Sequence, residues 1–245
     1  MSNVAPPPPL AVVLVRPREE GNLGAVCRAM ANMGIAHLHL VEPAAPAGPT
    51  ARAFAVGARD LLERATRHDS LAEAIGPYSR VVGTTSARDR RIAVPLWTPR
   101  ELAGELAARP EPTALVFGSE VGGLDNAELS RANAVVTIPA ALAMPTLNLA
   151  QSVLIVAYEL FLAGATGEAT PVLATGDAAA PASEVEGLLG QVDHVLHQVG
   201  FARSGTYGNV LTDLHQLAAR ARLTEREVKI LRGALRRTLR SFTLG

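Results

Sequence analysis

The sequence contains one cysteine and one lysine, and each scarcity restricts what the protein can be. With Cys27 alone, the chain cannot form an intramolecular disulfide or a metal site built from cysteines. Because Cys27 falls within a predicted helix, it is expected to be a small core residue. Of the 23 basic residues all but Lys229 are arginines. This bias is typical of a GC-rich genome, although guanidinium groups also bind phosphate through paired hydrogen bonds.

A net charge is also lacking, since 23 basic residues balance 23 acidic ones. The balance is uneven along the chain. Residues 1–163 contain 14 basic and 15 acidic groups, whereas residues 183–245 contain 9 and 6, a net charge of +3. Neutrality therefore does not exclude an RNA partner, but it predicts local rather than global attraction to one.

Signals for secretion, membrane insertion and metal binding are missing. The first ten residues have neither the basic nor the apolar region of a signal peptide. The most apolar run, 147–163, contains Asn148 and Glu159 and is too short to span a bilayer. We therefore expect a cytoplasmic protein without membrane contact. The histidines show no ligand spacing and no metal is expected; they stand at positions 37, 39, 68, 194, 197 and 215.

The 245 residues, 48% of them hydrophobic, suffice for a large domain and a smaller one. Alternating strand and helix patterns predict an α/β domain with a parallel sheet covered by helices on both faces. Predicted strands cover 10–16, 35–41, 79–86, 113–120 and 134–140, and predicted helices cover about 22–33 and 146–164. The expected divisions are a flexible arm (1–9), the α/β domain (10–165), a linker (166–182) and a small all-helical C-terminal extension (183–245).

Helix starts are indicated by capping boxes, in which a small polar residue is followed by glutamate three positions later. The pairs are Thr98 with Glu101, Asp125 with Glu128, Ser183 with Glu186, and Thr224 with Glu227. Gly200 is expected to stop the first helix of the extension.

Polar and glycine-rich loops follow four of the predicted strands. Ligands of open parallel sheets bind beyond the carboxyl ends of the strands, so these loops predict a binding site. Asn22 and Asn148 also suit plain helix caps, and Gly122–Gly123 a simple turn. No GxGxxG follows the first strand, which disfavours a dinucleotide fold, and spacing alone leaves the ligand open. The loops contain Asn22, Gly24 and Arg28; Thr84–Ser86; Gly118–Gly123; and Thr146–Asn148.

Three segments resemble, in order and spacing, the motifs of the SpoU/TrmH-type branch of the SPOUT RNA methyltransferases. They are NLGAVCR (22–28), FGSEVGGL (117–124) and TLNLAQSVLIVAYEL (146–160). GNLGAVCRAMANMGIAHLHLVEP and VVGTTSAR are similar to the TrmJ-type tRNA 2′-O-methyltransferases in particular, and residues 200–235 to the helical extension of that subgroup. The resemblance covers nearly the whole chain except the proline-rich start and the linker.

The resemblance implies a fold and a cofactor that spacing does not. It implies a SPOUT sheet with a C-terminal trefoil knot, acting as a homodimer. It also implies S-adenosylmethionine, bound bent in the knotted loops and converted to S-adenosylhomocysteine, with glycines that let adenine approach the backbone. The implied cofactor-binding residues are Thr85, Ser86, Ala87, Gly118, Ile138, Thr146, Leu147 and Asn148.

The implied reaction is 2′-O-methylation of ribose in tRNA, with Arg28, Asn22, Glu120 and Asn148 as the catalytic residues. A guanidinium is a poor general base because it stays protonated. We therefore expect Arg28 to position the 2′-oxygen and stabilise charge, with the proton acceptor unassigned. Asn22 and Asn148 are expected to hold the loop and the ribose, and Glu120 to orient Arg28 or the loop. The alternative for Arg28 is a surface or phosphate-binding arginine.

The resemblance also implies a substrate, and the chain departs from the family pattern at three positions. TrmJ-type features imply methylation at nucleotide 32 of the tRNA anticodon loop, on cytidine, with uridine left open as a second base. The basic third helix of the extension is expected either to contact phosphates or to be simply solvated. Thr146 replaces a common serine and keeps the hydroxyl; Pro145 stiffens that loop, and Ser119 replaces a common arginine or asparagine.

The sequence leaves two other functions open. A 2′-O-methyltransferase of ribosomal RNA or of another tRNA position shares every catalytic motif, and only the extension argues against it. A non-catalytic RNA-binding homologue would keep the fold, but the intact catalytic residues argue against that.

Overall fold

The computed structural model describes residues 10–44, 46–86, 93–166, 178–201 and 207–243. At its centre is a seven-stranded sheet in which all neighbouring strands are parallel, as expected. Strand order and register do not test the trefoil knot, which stays a prediction. In the spatial order β3-β2-β1-β6-β4-β7-β5, the sheet is built from β1 (Leu10–Val15), β2 (His37–Val41), β3 (Thr66–His68), β4 (Arg80–Thr84), β5 (Leu96–Trp97), β6 (Thr113–Phe117) and β7 (Ala134–Val136).

Helices cover both faces of the sheet and continue into the C-terminal part. Those on the sheet are α1 (Glu20–Asn32), α2 (Pro49–Phe54), α3 (Arg59–Glu63), α4 (Leu71–Ile75), α5 (Pro99–Ala108), α6 (Asn126–Ser130) and α7 (Leu149–Thr166). The C-terminal helices are α8 (Ala182–Gln198), α9 (Tyr207–Ala221) and α10 (Glu225–Thr243).

The central strand β1 is buried on both faces, which explains its unbroken apolar sequence. Val12 and Leu14 belong to a core shared with α1, α5 and α7, while Ala11 and Val13 belong to a second core shared with α4 and α6. Cys27 lies fully buried in the first of these cores. Burial raises the pKa of its thiol to about 12, so Cys27 is an unreactive packing residue.

Three of the four predicted capping boxes are confirmed. The side chains of Thr98 and Asp125 each accept from the backbone N–H of the glutamate three residues on. In return, the backbone N–H of each donates to the carboxylate of that glutamate. Thr224 and Glu227 form the same exchange at the start of α10.

The box predicted at Ser183 and Glu186 is wrong. Helix α8 begins after Pro181 without a side-chain cap. The backbone N–H of Ser183 donates instead to the carbonyl of Gly76, at 3.1 Å. Glu186 lies between Arg131 and His215, with 3.5 Å from its Oε2 to His215 Nε2. Tertiary contacts have therefore taken the groups that a local cap would use.

The C-terminal helices dock on the edge of the sheet where β4 and β6 begin. The backbone N–H of Ala182 donates to the carbonyl of Tyr78, just before β4, at 3.0 Å. The side chain of Arg222 pairs with Glu111, just before β6, and Glu111 also pairs with the buried Arg80. Among the described residues, these helices thus contact the amino ends of the strands and not the carboxyl ends.

Histidines of the sheet form a hydrogen-bonded series rather than a metal site. His39 bonds through its two ring nitrogens to His68 and Tyr78, each at 2.9 Å. In the described ranges no group of three or more histidine, cysteine or acidic side chains could hold a metal ion. None of the helices in that same part of the chain combines the length and hydropathy needed to cross a bilayer.

Candidate active site

A cavity of about 320 Å³ lies at the carboxyl ends of β4, β6 and β7. This is the edge at which open parallel sheets bind ligands. Predicted cofactor residues line it from all three loops: Thr85, Ser86, Gly118, Ile138, Thr146 and Leu147. The predicted Ala87 lies outside the described residues, and Asn148 adjoins the cavity without lining it.

A second depression, of about 600 Å³, runs along α10. It is lined by Ala178, Glu225, Arg226, Lys229 and Ile230, and Lys229 is paired there with Glu225 at 3.2 Å. None of the motif residues reaches it, so the smaller cavity is the candidate site.

The glycines of the β6 loop are required by the loop itself. A Cβ on Gly118 would lie 2.1 Å from the carbonyl carbon of Gly123, so the loop folds back directly over Gly118. Gly122 and Gly123 have φ of +86° and +67°, and the N–H of Gly123 donates to the carbonyl of Ser119 at 3.1 Å. The turn anticipated at Gly122–Gly123 is present, and it shapes one wall of the cavity.

Side-chain amides connect the three motif segments. Asn148 Nδ2 donates to Asn22 Oδ1 at 2.8 Å, and Asn22 Nδ2 donates to Glu120 Oε1 at 2.9 Å. Asn148 Oδ1 also accepts from the backbone N–H of Ala150, at 2.9 Å, at the start of α7. The cap considered for Asn148 is therefore confirmed, and its amide nitrogen serves the connection at the same time.

Glu120 holds the amino end of α1 from a distant loop. Its carboxylate accepts from the backbone N–H groups of Arg18 (3.0 Å) and Glu19 (3.2 Å) as well as from Asn22. Partial burial raises the pKa of Glu120, but these hydrogen bonds outweigh burial and the net pKa is lowered. An ionised carboxylate at a helix amino terminus is also favoured by the helix dipole.

Two expectations about these residues need correction. The cap considered for Asn22 is wrong, because α1 begins at Glu20 with Glu19 as its N-cap. Glu120 does not contact Arg28; it holds the loop and helix end, the other role expected of it.

Arg28 is exposed on α1 and does not line the cavity. In the described part of the chain no carboxylate lies within 4.0 Å of its guanidinium. An exposed guanidinium without an internal partner is available to an anionic ligand.

Ser152 lines the cavity although sequence reasoning did not identify it. It lies one helical turn after Asn148 and donates from Oγ to the Asn148 carbonyl, at 3.1 Å. The signal available in the sequence was this i, i+4 spacing from a predicted site residue. Ser119, flagged as a departure, is buried and accepts from the N–H of Val121 in its own loop.

Family models match both parts of the chain. Residues 9–158 match the SpoU rRNA Methylase family, and residues 183–244 match the C-terminal domain of tRNA methyltransferase TrmJ. The first match covers the α/β part of the structure, and the second covers the helical part.

Individual proteins and structures agree with these matches. The tRNA (cytidine/uridine-2′-O-)-methyltransferase TrmJ of Cronobacter sakazakii is 38% identical over 231 residues, 92% of this chain and 94% of that protein. The crystal structure of TrmJ from Z. mobilis ZM4 superposes with a TM-score of 0.83 at 30% identity, covering 93% of this chain and 98% of that one. An AdoMet-bound rRNA methyltransferase from Sinorhizobium meliloti is similar with a TM-score of 0.51 at 26% identity, covering 63% and 56%.

Proposed function

The chain belongs to the SpoU rRNA methylase family, in its TrmJ type, and from this membership we propose that it methylates the 2′-hydroxyl of ribose in tRNA. The methyl donor would be S-adenosylmethionine, whose sulfonium supplies an electrophilic methyl group. In this transfer a carbon–oxygen bond to the ribose would form as the sulfur–carbon bond of the donor broke, and the hydroxyl proton would leave. The products are methylated RNA, S-adenosylhomocysteine and a proton.

The cavity fits this cofactor in size and lining. Its volume of about 320 Å³ lies within the range of small-molecule sites. Ile138 and Leu147 supply apolar surface for the adenine, while Thr85, Ser86 and Thr146 supply hydroxyl groups for the polar parts. No metal is required for these contacts.

The observation that carries the proposal is the hydrogen-bonded series from Asn148 through Asn22 to Glu120. It fastens two cavity loops to the amino end of the helix that contains Arg28. A methyl transfer needs the donor and the acceptor oxygen held in line, and a rigid connection between their binding elements supplies that orientation. Asn22 and Asn148 thus act here as positioning residues for the loops.

Arg28 is assigned to the ribose and the adjacent phosphate. Its guanidinium donates hydrogen bonds to the 2′-oxygen and stabilises the negative charge that develops there. A protonated guanidinium cannot accept the hydroxyl proton, so that proton goes to another group.

The substrate is assigned from the relatives and the extension. The Cronobacter protein is named for cytidine and uridine in tRNA, and residues 183–244 match the TrmJ C-terminal domain. Basic side chains exposed on α10, among them Arg236 and Arg237, would contact phosphates. We place the target at nucleotide 32 of the anticodon loop, and such an enzyme acts in the cytoplasm, where tRNA is processed.

The protein is proposed to act as a homodimer that pairs through helix α7. Helix α7 exposes Leu154, Tyr158 and Phe161, which lie on one side of the helix at i, i+4 and i+7. Their exposed fractions of 39%, 47% and 48% leave a continuous apolar stripe beside α1. Pairing this stripe with that of a second copy would bury it.

The test is incubation with isotope-labelled S-adenosylmethionine and tRNA from a strain lacking the modification, followed by mapping of the labelled nucleotide. Label at the ribose of nucleotide 32 is the expected result. Label in ribosomal RNA or at another tRNA position would replace the substrate assignment. Cofactor binding without transfer to any RNA would identify a non-catalytic homologue.

A further inference from the structure

Helix α2 is fixed on the first two turns of α1 by contacts that the resemblance did not assign. The Glu20 carboxylate accepts from the backbone N–H groups of Thr50 (3.2 Å) and Ala51 (3.4 Å), so one helix caps the other. A Cβ on Gly24 would lie 2.1 Å from the Ala51 carbonyl oxygen and 2.8 Å from Phe54 Cβ. Gly24 of the first motif is therefore needed to seat α2.

The last residue of α2 presents an aromatic ring to solvent. One side of the Phe54 ring packs at Gly21, 3.8 Å from where a Cβ on that glycine would lie. Phe54 is nevertheless 54% exposed, and the neighbouring Val56 is 56% exposed. A ring supported on one side and open on the other is a rigid stacking surface.

Exposed arginines lie on the two helices next to α2, Arg28 on α1 and Arg59 on α3. Arg28 follows Gly21 and Gly24 at i+7 and i+4, so it shares their face of α1, and helical side chains lean toward the preceding turn. Arg59 Nε donates to the carbonyl of Arg52, in the last turn of α2, at 3.2 Å. The Arg52 side chain is two residues from Phe54 and therefore lies on another side of that helix. Within the described ranges, none of the three guanidiniums has a carboxylate within 4.0 Å.

Two of the three nearby acidic groups are engaged, and the third, Glu63, is exposed four residues after Arg59 in α3. Glu20 caps α2, and Asp60 pairs with Arg64 at 2.5 Å. The surface made of Phe54, Arg28 and Arg59, termed here the Phe54 platform, therefore combines an open aromatic ring with two guanidiniums that form no ion pair within the described ranges.

We propose that the Phe54 platform binds a single-stranded segment of the substrate RNA, with one base stacked on Phe54 and the flanking phosphates on the arginines. Aromatic rings beside guanidiniums are how proteins bind unpaired nucleotides, and base–aromatic stacking does not depend on sequence. Arg28 belongs both to the platform and to the proposed reaction centre, so the stacked base lies next to the methylated nucleotide. The inference rests on the proposed function for the identity of its RNA.

A second copy of the chain fits this surface less well. In a two-fold contact the same patch meets itself, which would place unpaired guanidiniums opposite one another. The apolar stripe of α7 has no such charge and is the surface assigned to the dimer.

The kinetic test uses Phe54→Leu and Arg59→Gln in the full chain. Phe201→Leu and Arg67→Gln serve as matched controls, because Phe201 is 56% exposed and Arg67 is an exposed arginine of β3 that forms no ion pair within the described ranges. Stacking energies predict that Phe54→Leu raises KM for tRNA at least about fivefold, while both controls change it less than twofold. S-adenosylmethionine affinity and molecular mass in solution should not change.

A binding test separates this inference from the proposed function. The chain has a single tryptophan, Trp97, so Phe54→Trp adds an exposed indole whose fluorescence a stacked base quenches. Salt-sensitive quenching by a cytidine hexanucleotide is expected whether or not the enzyme methylates tRNA. Absence of quenching, or an unchanged KM for Phe54→Leu in a wild type that does methylate tRNA, would overturn the inference. A halved molecular mass for Phe54→Leu would show that the platform is a dimer contact instead.

Discussion

The side-chain amides of Asn22 and Asn148 are hydrogen-bonded to each other across 126 residues of sequence, with 2.8 Å from Nδ2 to Oδ1. Asn22 in turn donates a hydrogen bond to Glu120, so side-chain hydrogen bonds join three segments that are remote in sequence. The series does not include Arg28, which lies further along α1. The architecture therefore separates the groups that hold the site from the group assigned to its chemistry.

Glu120→Gln tests the holding role. The amide keeps the size of the side chain but loses the charge that favours the bonds to the α1 terminus, so we expect a loss of about 1 kcal/mol in the free energy of unfolding. The pKa of Glu120 is lowered in the folded state. Its contribution to the free energy of unfolding is therefore present above pH 4.5, the ordinary pKa, and disappears as pH falls through the folded-state pKa. Urea unfolding from pH 7 to pH 3 should show the two proteins converging in acid. Parallel curves over this range would contradict the assignment.

Gly118→Ala tests the shape of the cavity. The added Cβ would meet backbone at 2.1 Å, which only a movement of the β6 loop can relieve, so S-adenosylmethionine binding should fall at least about tenfold. Gly104→Ala is the control, because a Cβ there meets nothing within 4 Å and alanine favours the helix by about 0.5–1 kcal/mol. Calorimetric titration with the cofactor should distinguish the two variants. Equal affinity in both would mean that the loop does not form the cofactor wall.

Arg28→Ala tests the assigned chemistry. Loss of one charged donor at the reacting oxygen should lower kcat by at least about a hundredfold. Affinity for S-adenosylmethionine should stay near the wild-type value, since Arg28 does not line the cavity. Single-turnover methylation and cofactor titration measure the two effects separately. Turnover at the wild-type rate would remove Arg28 from the mechanism.

Much of the fold could be predicted because it follows from local pattern. The apolar run of β1 and the capping boxes at Thr98 and Asp125 act within a few residues, and all three were confirmed. The edge strands β3 and β5 were missed, since three and two residues are too few to show a period. The cap at Ser183 failed because a tertiary hydrogen bond to Gly76 displaced it.

The site was predicted as a set of residues but not as an arrangement. Strand ends and the family resemblance placed Asn22, Glu120 and Asn148 at one edge of the sheet. That they bond to one another depends on distances between remote loops, which no spacing in the sequence encodes. Gly24 is similar: its motif was recognised, but its contact with Ala51 requires knowledge of how α2 packs.

Arg236→Gln combined with Arg237→Gln tests RNA binding by α10. Each phosphate contact contributes about one unit to the slope of log affinity against log salt, so the double variant should bind tRNA more weakly with a slope smaller by about 2. Cofactor affinity should be unchanged. Filter binding across a salt series gives both quantities. An unaltered slope would show that this helix face is only solvated.

His215→Gln tests the contact between helices α8 and α9, at which Glu186 also pairs with Arg131 of the α/β part. The Nδ1 of His215 lies 2.8 Å from the Leu211 carbonyl and Nε2 lies 3.5 Å from Glu186, so both nitrogens serve these acceptors only when the ring is protonated. The hydrogen bond with Glu186 raises the pKa of His215 despite opposing burial and the charge of Arg131.

The stabilisation of the fold by His215 is therefore complete below pH 6.5, the ordinary pKa of histidine, and is lost as pH rises through the raised folded-state pKa. Burial lowers the pKa of His39, so His39 destabilises the fold as pH falls below 6.5, whereas loss of the His215 contact destabilises it as pH rises. The wild type and His215→Gln share the effect of His39. The difference in melting temperature between wild type and His215→Gln thus isolates His215, and it should be largest near pH 6 and shrink toward pH 9. A difference that grows with pH would mean that His215 is neutral in the folded protein and that Glu186 is held by Arg131 alone.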